Sequence, residues 1–266
     1  QMAMKEYESG VYIMDIQERK NVKANILSPS KSEIPDGVWT KCPECNEIIY
    51  NGELDRNLRM CSRCSYYFPM EPSARISLLA DEESFIKYED DICPDIDSCE
   101  RTVMGGKSCL SPHNLVILAV NIDSRSEVDD ILVSEKIISI VNHAVEEGFP
   151  LLAIYTLGNG THNREHFSAQ RLNISAVINK LAKKNLPYIS VLSQASADSS
   201  FPAFAYLADI VIAESHSIGT SNTGSRIGHR ESELAINLLF ESGVVDMVVP
   251  REDIKEKIIN ILSFFC

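Results

Sequence analysis

No apolar stretch in this sequence approaches the roughly 20 residues that cross a bilayer as a helix, so a membrane-spanning protein is not expected. Positive charge is also short. The 266 residues carry 25 Lys and Arg against 38 Asp and Glu, a formal net charge of −13, which repels phosphate backbones and anionic lipid alike. Neither nucleic acid nor a membrane is therefore an expected partner. The opening residues, QMAMKEYESG, lack the apolar core and basic flank of a signal peptide, and the expectation is a cytoplasmic protein. The two matches to the glycosylation sequon, Asn159-Gly160-Thr161 and Asn173-Ile174-Ser175, are chance in that setting. Internal repeats and low-complexity blocks are missing too, and 44% hydrophobic content is enough for a globular core.

A complete phosphate-binding loop is absent as well. Met104-Gly105-Gly106-Lys107-Ser108 supplies the second half of GxxxxGK[ST], but the first glycine falls at Arg101, so nucleotide binding by that route is rejected.

What the sequence does hold begins with cysteine. Four of the eight fall in two CxxC pairs, Cys42/Cys45 and Cys61/Cys64, separated by fifteen residues. That spacing places four thiolates at the corners of a tetrahedron, which suits a structural Zn²⁺ and leaves no open coordination position for redox or hydrolytic work. The other four, Cys93, Cys99, Cys109 and Cys266, show no framework spacing. Between 38 and 68, Lys41, Arg56, Arg59 and Arg63 are balanced by Glu44, Glu47, Glu53 and Asp55, so the ribbon has no basic stripe to follow a phosphate chain.

The expected organisation is a flexible leader over 1–37, the zinc ribbon over 38–68, a connector over 69–110 and the main domain over 111–266. Within the connector, PSARISLLADEESF reads as a short helix with Pro72 near its first turn and Ile76, Leu78 and Leu79 inward, propping the ribbon against the body. Asp81 to Glu100, with nine acidic residues and one lysine, reads as a solvated link. Beyond it come a strand at 115–120, a helix near 133–147 with Ile137, Ile138, Val141, Ala144 and Val145 inward, and strands at 151–155, 186–192 and 208–214. Helices are expected at 231–240 and 252–265. Strands that are apolar throughout, alternating with helices, call for a mostly parallel sheet covered by helices and joined by right-handed crossovers.

The stretch Pro150 to Thr161, PLLAIYTLGNGT, is the centre of this plan. A buried strand ends in a turn containing Gly158 and Gly160, and Ala169, Leu172, Ala176, Ile178 and Leu181 then recur at roughly helical spacing. Such a turn aims free N–H groups from the positive end of a helix into one pocket, the geometry that stabilises a thioester enolate or a tetrahedral oxyanion. A plain βα turn with packing glycines would read the same way in sequence. Asn159, His162, Glu165 and His166 add polar groups beside it, and His162 and His166 share a helix face if the helix starts near Asn163. Arg164, Arg171, Lys180, Lys183 and Lys184 are candidates for the phosphates of an acyl carrier, or form an ordinary solvated helix face.

From Val38 onward the sequence resembles the β subunit of the bacterial acetyl-CoA carboxylase carboxyltransferase, a zinc-ribbon member of the crotonase (ClpP-like) superfamily. The resemblance rests on WTKCPECNEIIYNGELDRNLRMCSRC, PSARISLLADEESF, LPYISVL, ADIVIAE and ESGVVDMVVPRED. It implies an α/β fold, a ββα-superhelix spiral behind an N-terminal ribbon. It also implies an oligomer in which an α-type subunit completes the site, and transfer of a carboxyl group from carboxybiotin on a carrier protein to an acyl-CoA. Catalysis in that family leans on backbone amides.

The sequence departs from the family at its turns. The paired-glycine turn appears here as Leu157-Gly158-Asn159-Gly160-Thr161-His162-Asn163, a glycine-rich segment is replaced by SRSEVDDILVSE, and Ser193 to Ser199 holds no glycine. Three readings stay open on these residues: a divergent working carboxyltransferase subunit, an enzyme repurposed for another CoA- or acyl-carrier-protein-bound thioester, or a catalytically silent partner subunit. Gly158, Asn159, Gly160 and His162 are the candidate catalytic residues; on the second reading the new polar groups Asn159, His162, Glu165 and His166 act, and His162→Ala abolishes turnover with fold and zinc intact. Arg164, Arg171 and Lys184 are the candidate cofactor contacts.

Overall fold

Seven strands lie side by side in the order in which they occur in the chain. The computed structural model describes residues 38–89, 92–122, 130–157, 171–193, 203–215, 237 and 239–265. A small hairpin comes first, β1 (Trp39–Lys41) and β2 (Ile48–Tyr50), followed by α1 (Asn51–Arg56) and α2 (Pro72–Leu79). The main sheet then runs β3 (Ile86–Lys87), β4 (Val103–Leu110), β5 (His113–Ile122), β6 (Leu151–Leu157), β7 (Tyr188–Ser193), β8 (Ile210–Glu214) and β9 (Met247–Val249). Helices α3 (Ile96–Thr102), α4 (Asp130–Glu147), α5 (Arg171–Lys183) and α6 (Ile254–Phe265) complete the order, with short 3₁₀ turns at Ala203–Leu207 and Arg251–Asp253.

The β3–β4 and β4–β5 pairs are antiparallel, and every pair from β5 to β9 is parallel. Sequential order with right-handed crossovers puts the crossover helices on one face, because each connection steps in the same direction. The packing agrees. Val116, Leu118 and Val120 of β5 and Leu151, Ala153 and Tyr155 of β6 pack with Val133, Ile137 and Val141 of α4 and with Ile174, Val177 and Leu181 of α5. The alternate residues, Leu115, Ile117 and Ala119 with Leu152 and Ile154, face the other way onto Ile76 and Leu79 of α2 and Ile254, Ile258 and Leu262 of α6. Period-two alternation therefore feeds two apolar layers from each central strand, as a sheet covered on both faces requires.

Several expectations shift in this frame. Residues 103–110, placed in the connector from sequence, form β4, and the half-motif Gly105-Gly106 is strand backbone. A Cβ on Gly105 would meet Ile140 of α4 at 2.7 Å, and one on Gly106 would sit on the Ile86 carbonyl oxygen, so packing accounts for both glycines. The acidic stretch is likewise not a bare link, since it contributes β3 and α3 and holds a Cys93–Cys99 disulfide. A bridge spanning six residues is local and leaves no long-range spacing to read. In α5 the inward face is Ile174, Val177, Ile178 and Leu181, whereas Leu172 is 81% exposed and Ala176 is also exposed. The 3.6-residue period had to be phased from Leu181 backwards, not from Leu172. The helix expected at 231–240 falls almost wholly outside the described residues.

Candidate functional site

The ribbon is built from two loops of the same form. In each, the residue four beyond the first cysteine donates its N–H to that cysteine's carbonyl, Asn46 to Cys42 at 3.0 Å and Ser65 to Cys61 at 2.9 Å. The first cysteine's own N–H is bound by the next residue's carbonyl, Cys42 to Glu47 at 2.7 Å and Cys61 to Tyr66 at 2.9 Å. Asn46 and Ser65 both take left-handed backbone, with φ of 61° and 58°, which turns each loop back on itself and points its two sulfurs inward. The result is four Sγ atoms within 4.8 Å of one another, with Cys42–Cys64 and Cys45–Cys61 each at 3.6 Å. A tetrahedral Zn²⁺ with bonds of about 2.3 Å separates its sulfurs by about 3.8 Å, so the four residues fit the ion with little adjustment. Burial pushes the Cys42 and Cys64 thiols up, while the Glu47 amide holds Cys45 down. Several thiolates this close are stable with a cation among them, and this is the chemistry Zn²⁺ supplies.

The second region is the carboxyl edge of the parallel strands, where open α/β sheets bind ligands. Gly158, Asn159, Gly160, His162 and Arg164, together with Glu165 and His166, follow directly on the last residue of β6 and lie outside the described residues. Arg171 is the first residue of α5, the end of the helix nearest that edge in the chain. Lys184 is at the other end. The 13-residue helix is about 20 Å long, and the Lys184 ammonium donates to the Val145 carbonyl of α4 at 2.6 Å while Lys180 reaches Asn142 at 3.2 Å. These lysines tie α5 to α4 at the amino edge of the sheet. Arg171 and Lys184 are therefore not brought together.

The structure also reveals charged groups that the sequence reading missed. Glu214, the last residue of β8, is fully buried between Arg75 of α2 and Arg251 of the turn after β9, both nearly inaccessible. Arg251 donates from Nε and Nη2 to the two Glu214 oxygens at 2.7 and 2.9 Å, and Arg75 donates from Nη1 and Nη2 at 2.7 and 3.0 Å. Ser193, the last residue of β7, joins Arg75 to Glu214 through its hydroxyl. Burial alone would raise the Glu214 carboxyl. The charges and hydrogen bonds of the two guanidinium groups outweigh it and hold the carboxyl well below the usual carboxylate range. Arg251 extends into the ribbon: Nη1 donates to the Leu58 carbonyl at 2.9 Å, the guanidinium stacks 4.3 Å from the Tyr67 ring centre, and its backbone N–H donates to the Tyr67 hydroxyl at 3.1 Å. A signal for all three charges was present. Arg75 lies one turn before Leu79, Glu214 two residues after Ile212 and Arg251 three before Ile254, each on a face otherwise apolar.

A four-thiol ribbon fastened to a sequentially ordered, mostly parallel sheet, with its crossover helices on one face, is an α/β fold behind an N-terminal four-cysteine ribbon. Comparison with known proteins makes this more particular. Residues 39–64 match the family described as the acetyl-CoA carboxylase zinc finger domain. The chain resembles the acetyl-coenzyme A carboxylase carboxyl transferase subunit β of Desulforamulus reducens, at 28% identity over 258 residues that cover 88% of this chain and 89% of that one.

Among solved structures, the geranyl-CoA carboxylase β subunit of P. aeruginosa superposes with a TM-score of 0.54 at 13% identity, covering 73% of this chain and 43% of its own. Transcarboxylase 12S gives a TM-score of 0.54 at 16% identity, with 85% of this chain and 45% of its own covered. A malonate decarboxylase hetero-tetramer from Pseudomonas gives 0.51 at 16%, covering 74% and 82%. These three share the fold.

Proposed function

We propose that this chain is the β-type subunit of an acetyl-CoA carboxylase carboxyltransferase, which moves a carboxyl group from carboxybiotin on a carrier protein to an acyl-CoA with an α-type subunit completing the site. The observation that carries the reading is similarity to one such subunit over nearly the whole of both chains, together with the family match of the ribbon. A shared scaffold alone would not support it, since related folds act on different acyl groups. The extent of sequence likeness does.

The chemistry has to stabilise negative charge on the thioester oxygen while the α-carbon exchanges its proton for the carboxyl group: the N–C bond of carboxybiotin breaks, the new C–C bond forms, and the proton ends on the biotin nitrogen. Fixed N–H donors meet that charge as it develops without titrating themselves, and Gly158 and Gly160, just beyond the carboxyl end of β6, are the proposed positions for them. Asn159 and His162 are proposed to orient the acyl group. Arg164 and Arg171 are the proposed contacts for the CoA phosphates, and Lys184 is assigned to holding α5 against α4. Biotin, when its carrier docks, supplies the carboxyl group. Zn²⁺ is proposed to hold the ribbon and to take no part in the reaction.

The test is to mix the zinc-loaded chain with the α subunit of its own organism and to measure complex formation and malonyl-CoA-dependent carboxylation of biotin, the reverse reaction. Complex formation with turnover is the expected result. A stable complex without turnover would overturn the catalytic reading in favour of a silent subunit, and a folded chain that ignores the α subunit would point to chemistry on another thioester.

A further inference from the structure

The ribbon and the carboxyl edge of the sheet are joined by one buried cluster, and we infer that this cluster makes the ribbon a positioning element for the acyl-thioester site: Arg251 and Arg75 hold the ends of β7 and β8 in register with the zinc-bound loops. The inference rests on the carboxyltransferase reading for its site, and on the contacts themselves for the coupling.

The contacts form a continuous path. Leu58 and Arg59, just ahead of Cys61, both take left-handed backbone with φ of 53° and 57°. Two successive side-chain-bearing residues in that region are strained and persist only where their surroundings fix them. The loop held in this form presents the Leu58 carbonyl to Arg251 at 2.9 Å, with the Arg59 and Phe68 carbonyls at 3.4 Å. Arg251 passes the constraint to Glu214, and Glu214 passes it to Ser193 and Arg75. Ser193 and Glu214 are the final residues of adjacent parallel strands, so they set where the chain leaves the sheet on the side where such sheets bind ligands.

The chemistry of the cluster fits positioning better than stability. Burying three charges carries a desolvation cost that well-packed apolar residues would not, and replacing such a triad by hydrophobic residues is often neutral or stabilising. What two guanidinium forks on one carboxylate provide is direction, because each fixes both oxygens in one plane. An error of about 1 Å at a reacting centre can cost on the order of 100-fold in rate, so a device that fixes strand ends acts on kcat more than on folding.

The experiment uses the full chain with its α-type partner and compares wild type with Arg251→Lys, which keeps the charge and loses the fork, and with Ser193→Ala. Arg63→Ala is the control, an exposed ribbon residue paired with Glu47. Three quantities are read: zinc content, amide exchange in 189–193 and 211–215 against 116–120 of β5, and kcat and KM for malonyl-CoA.

The expected result for Arg251→Lys is unchanged zinc, exchange about tenfold faster at the ends of β7 and β8 with β5 unaffected, and kcat down about tenfold with KM within about twofold. Ser193→Ala shifts the same quantities less, and it carries the test if Arg251→Lys fails to fold. Chelating zinc from wild type should reproduce the exchange pattern. Uniform acceleration across all strands would show a merely structural cluster and overturn the inference, as would unchanged exchange at the strand ends. If the wild-type complex has no turnover, the carboxyltransferase reading fails while the exchange measurement still decides the coupling.

Discussion

The ribbon and the sheet solve the same problem, holding short strands in place, by opposite means. The ribbon buries Ile49, Leu54, Tyr66 and Phe68 around Cys42 and Cys61, with Tyr66 edge-on to Phe68 at 4.9 Å, and has little else inside. A unit of about 30 residues cannot bury enough apolar surface to fold on that basis, so a metal must supply the difference. The sheet buries two separate apolar layers and needs no ion. Where the two meet, neither device is used, and the junction is a buried Arg–Glu–Arg cluster. The metal fixes geometry locally, apolar burial holds layers without fixing direction, and the charged fork transmits direction from one to the other.

The largest effect is expected from breaking the ribbon side. Cys61→Ser should abolish stoichiometric zinc binding and remove metal-linked stability of roughly 10 kcal/mol from the ribbon, leaving a sheet that still unfolds cooperatively. Zinc content and a thermal melt followed by near-UV signals from Trp39 and Tyr66 would check it. A wild-type chain that is folded, stable and free of zinc would sink the ribbon assignment altogether.

Breaking the junction comes next. Glu214→Gln leaves two buried guanidinium groups without their counter-charge, and a loss of about 3–5 kcal/mol is expected in urea unfolding. Replacing all three charges together with apolar residues of similar volume is expected to restore most of that stability. If the triple replacement is as unstable as Glu214→Gln, the junction is a source of stability and the contrast drawn between direction and burial collapses.

The two regions also differed in how far they could be read. The ribbon was legible to the residue because four cysteines at fixed spacing admit few arrangements, and the structure closes them on one point. The central strands were legible because runs such as Leu151 to Tyr155 are too apolar to sit anywhere but inside, although their bounds moved by a few residues. β4 was not, since Gly105 and Gly106 suppress strand propensity and are required only by Ile140 and by the Ile86 backbone, which are remote in sequence. The junction was missed for a related reason: Arg75, Glu214 and Arg251 are 37 to 176 residues apart, and each alone looks like a solvated charge. Only the fold brings them onto one spot. The proposed catalytic turn at Gly158 to His162 stays a reading of sequence and resemblance.

A smaller effect tests how much the ring and the hydroxyl of Tyr67 contribute separately. Tyr67→Phe keeps the face on which the Arg251 guanidinium stacks and removes the oxygen that accepts the Arg251 N–H. The expected cost is about 1 kcal/mol, with zinc content unchanged. A loss several times larger would assign to the hydroxyl a share of the junction beyond its bond to the Arg251 N–H.

The smallest expected effect contrasts the buried junction with an exposed ion pair near α6. Asp81 accepts the Ser111 hydroxyl at 2.6 Å and the Ser111 N–H at 2.7 Å, and pairs with Lys255 at 2.9 Å. Ser111 first, then Lys255, lower its pKa to about 2 from an ordinary 3.8. A carboxyl whose folded pKa is depressed gives its full stabilisation above its unfolded pKa and loses it as pH falls through the folded one. Asp81→Asn should therefore lower stability slightly at neutral pH, by under about 1 kcal/mol for a partly exposed pair, and the gap from wild type should close as pH falls from about 4 to about 2. Added salt should narrow the same gap at neutral pH, because water reaches this pair. The Glu214→Gln gap should behave differently. Glu214 sits deeper below its ordinary value and is sealed from solvent, so its deficit should persist to lower pH and ignore salt. Parallel pH and salt responses in the two variants would mean that the junction is as wet as the surface, and the fork could not then hold the strand ends in register.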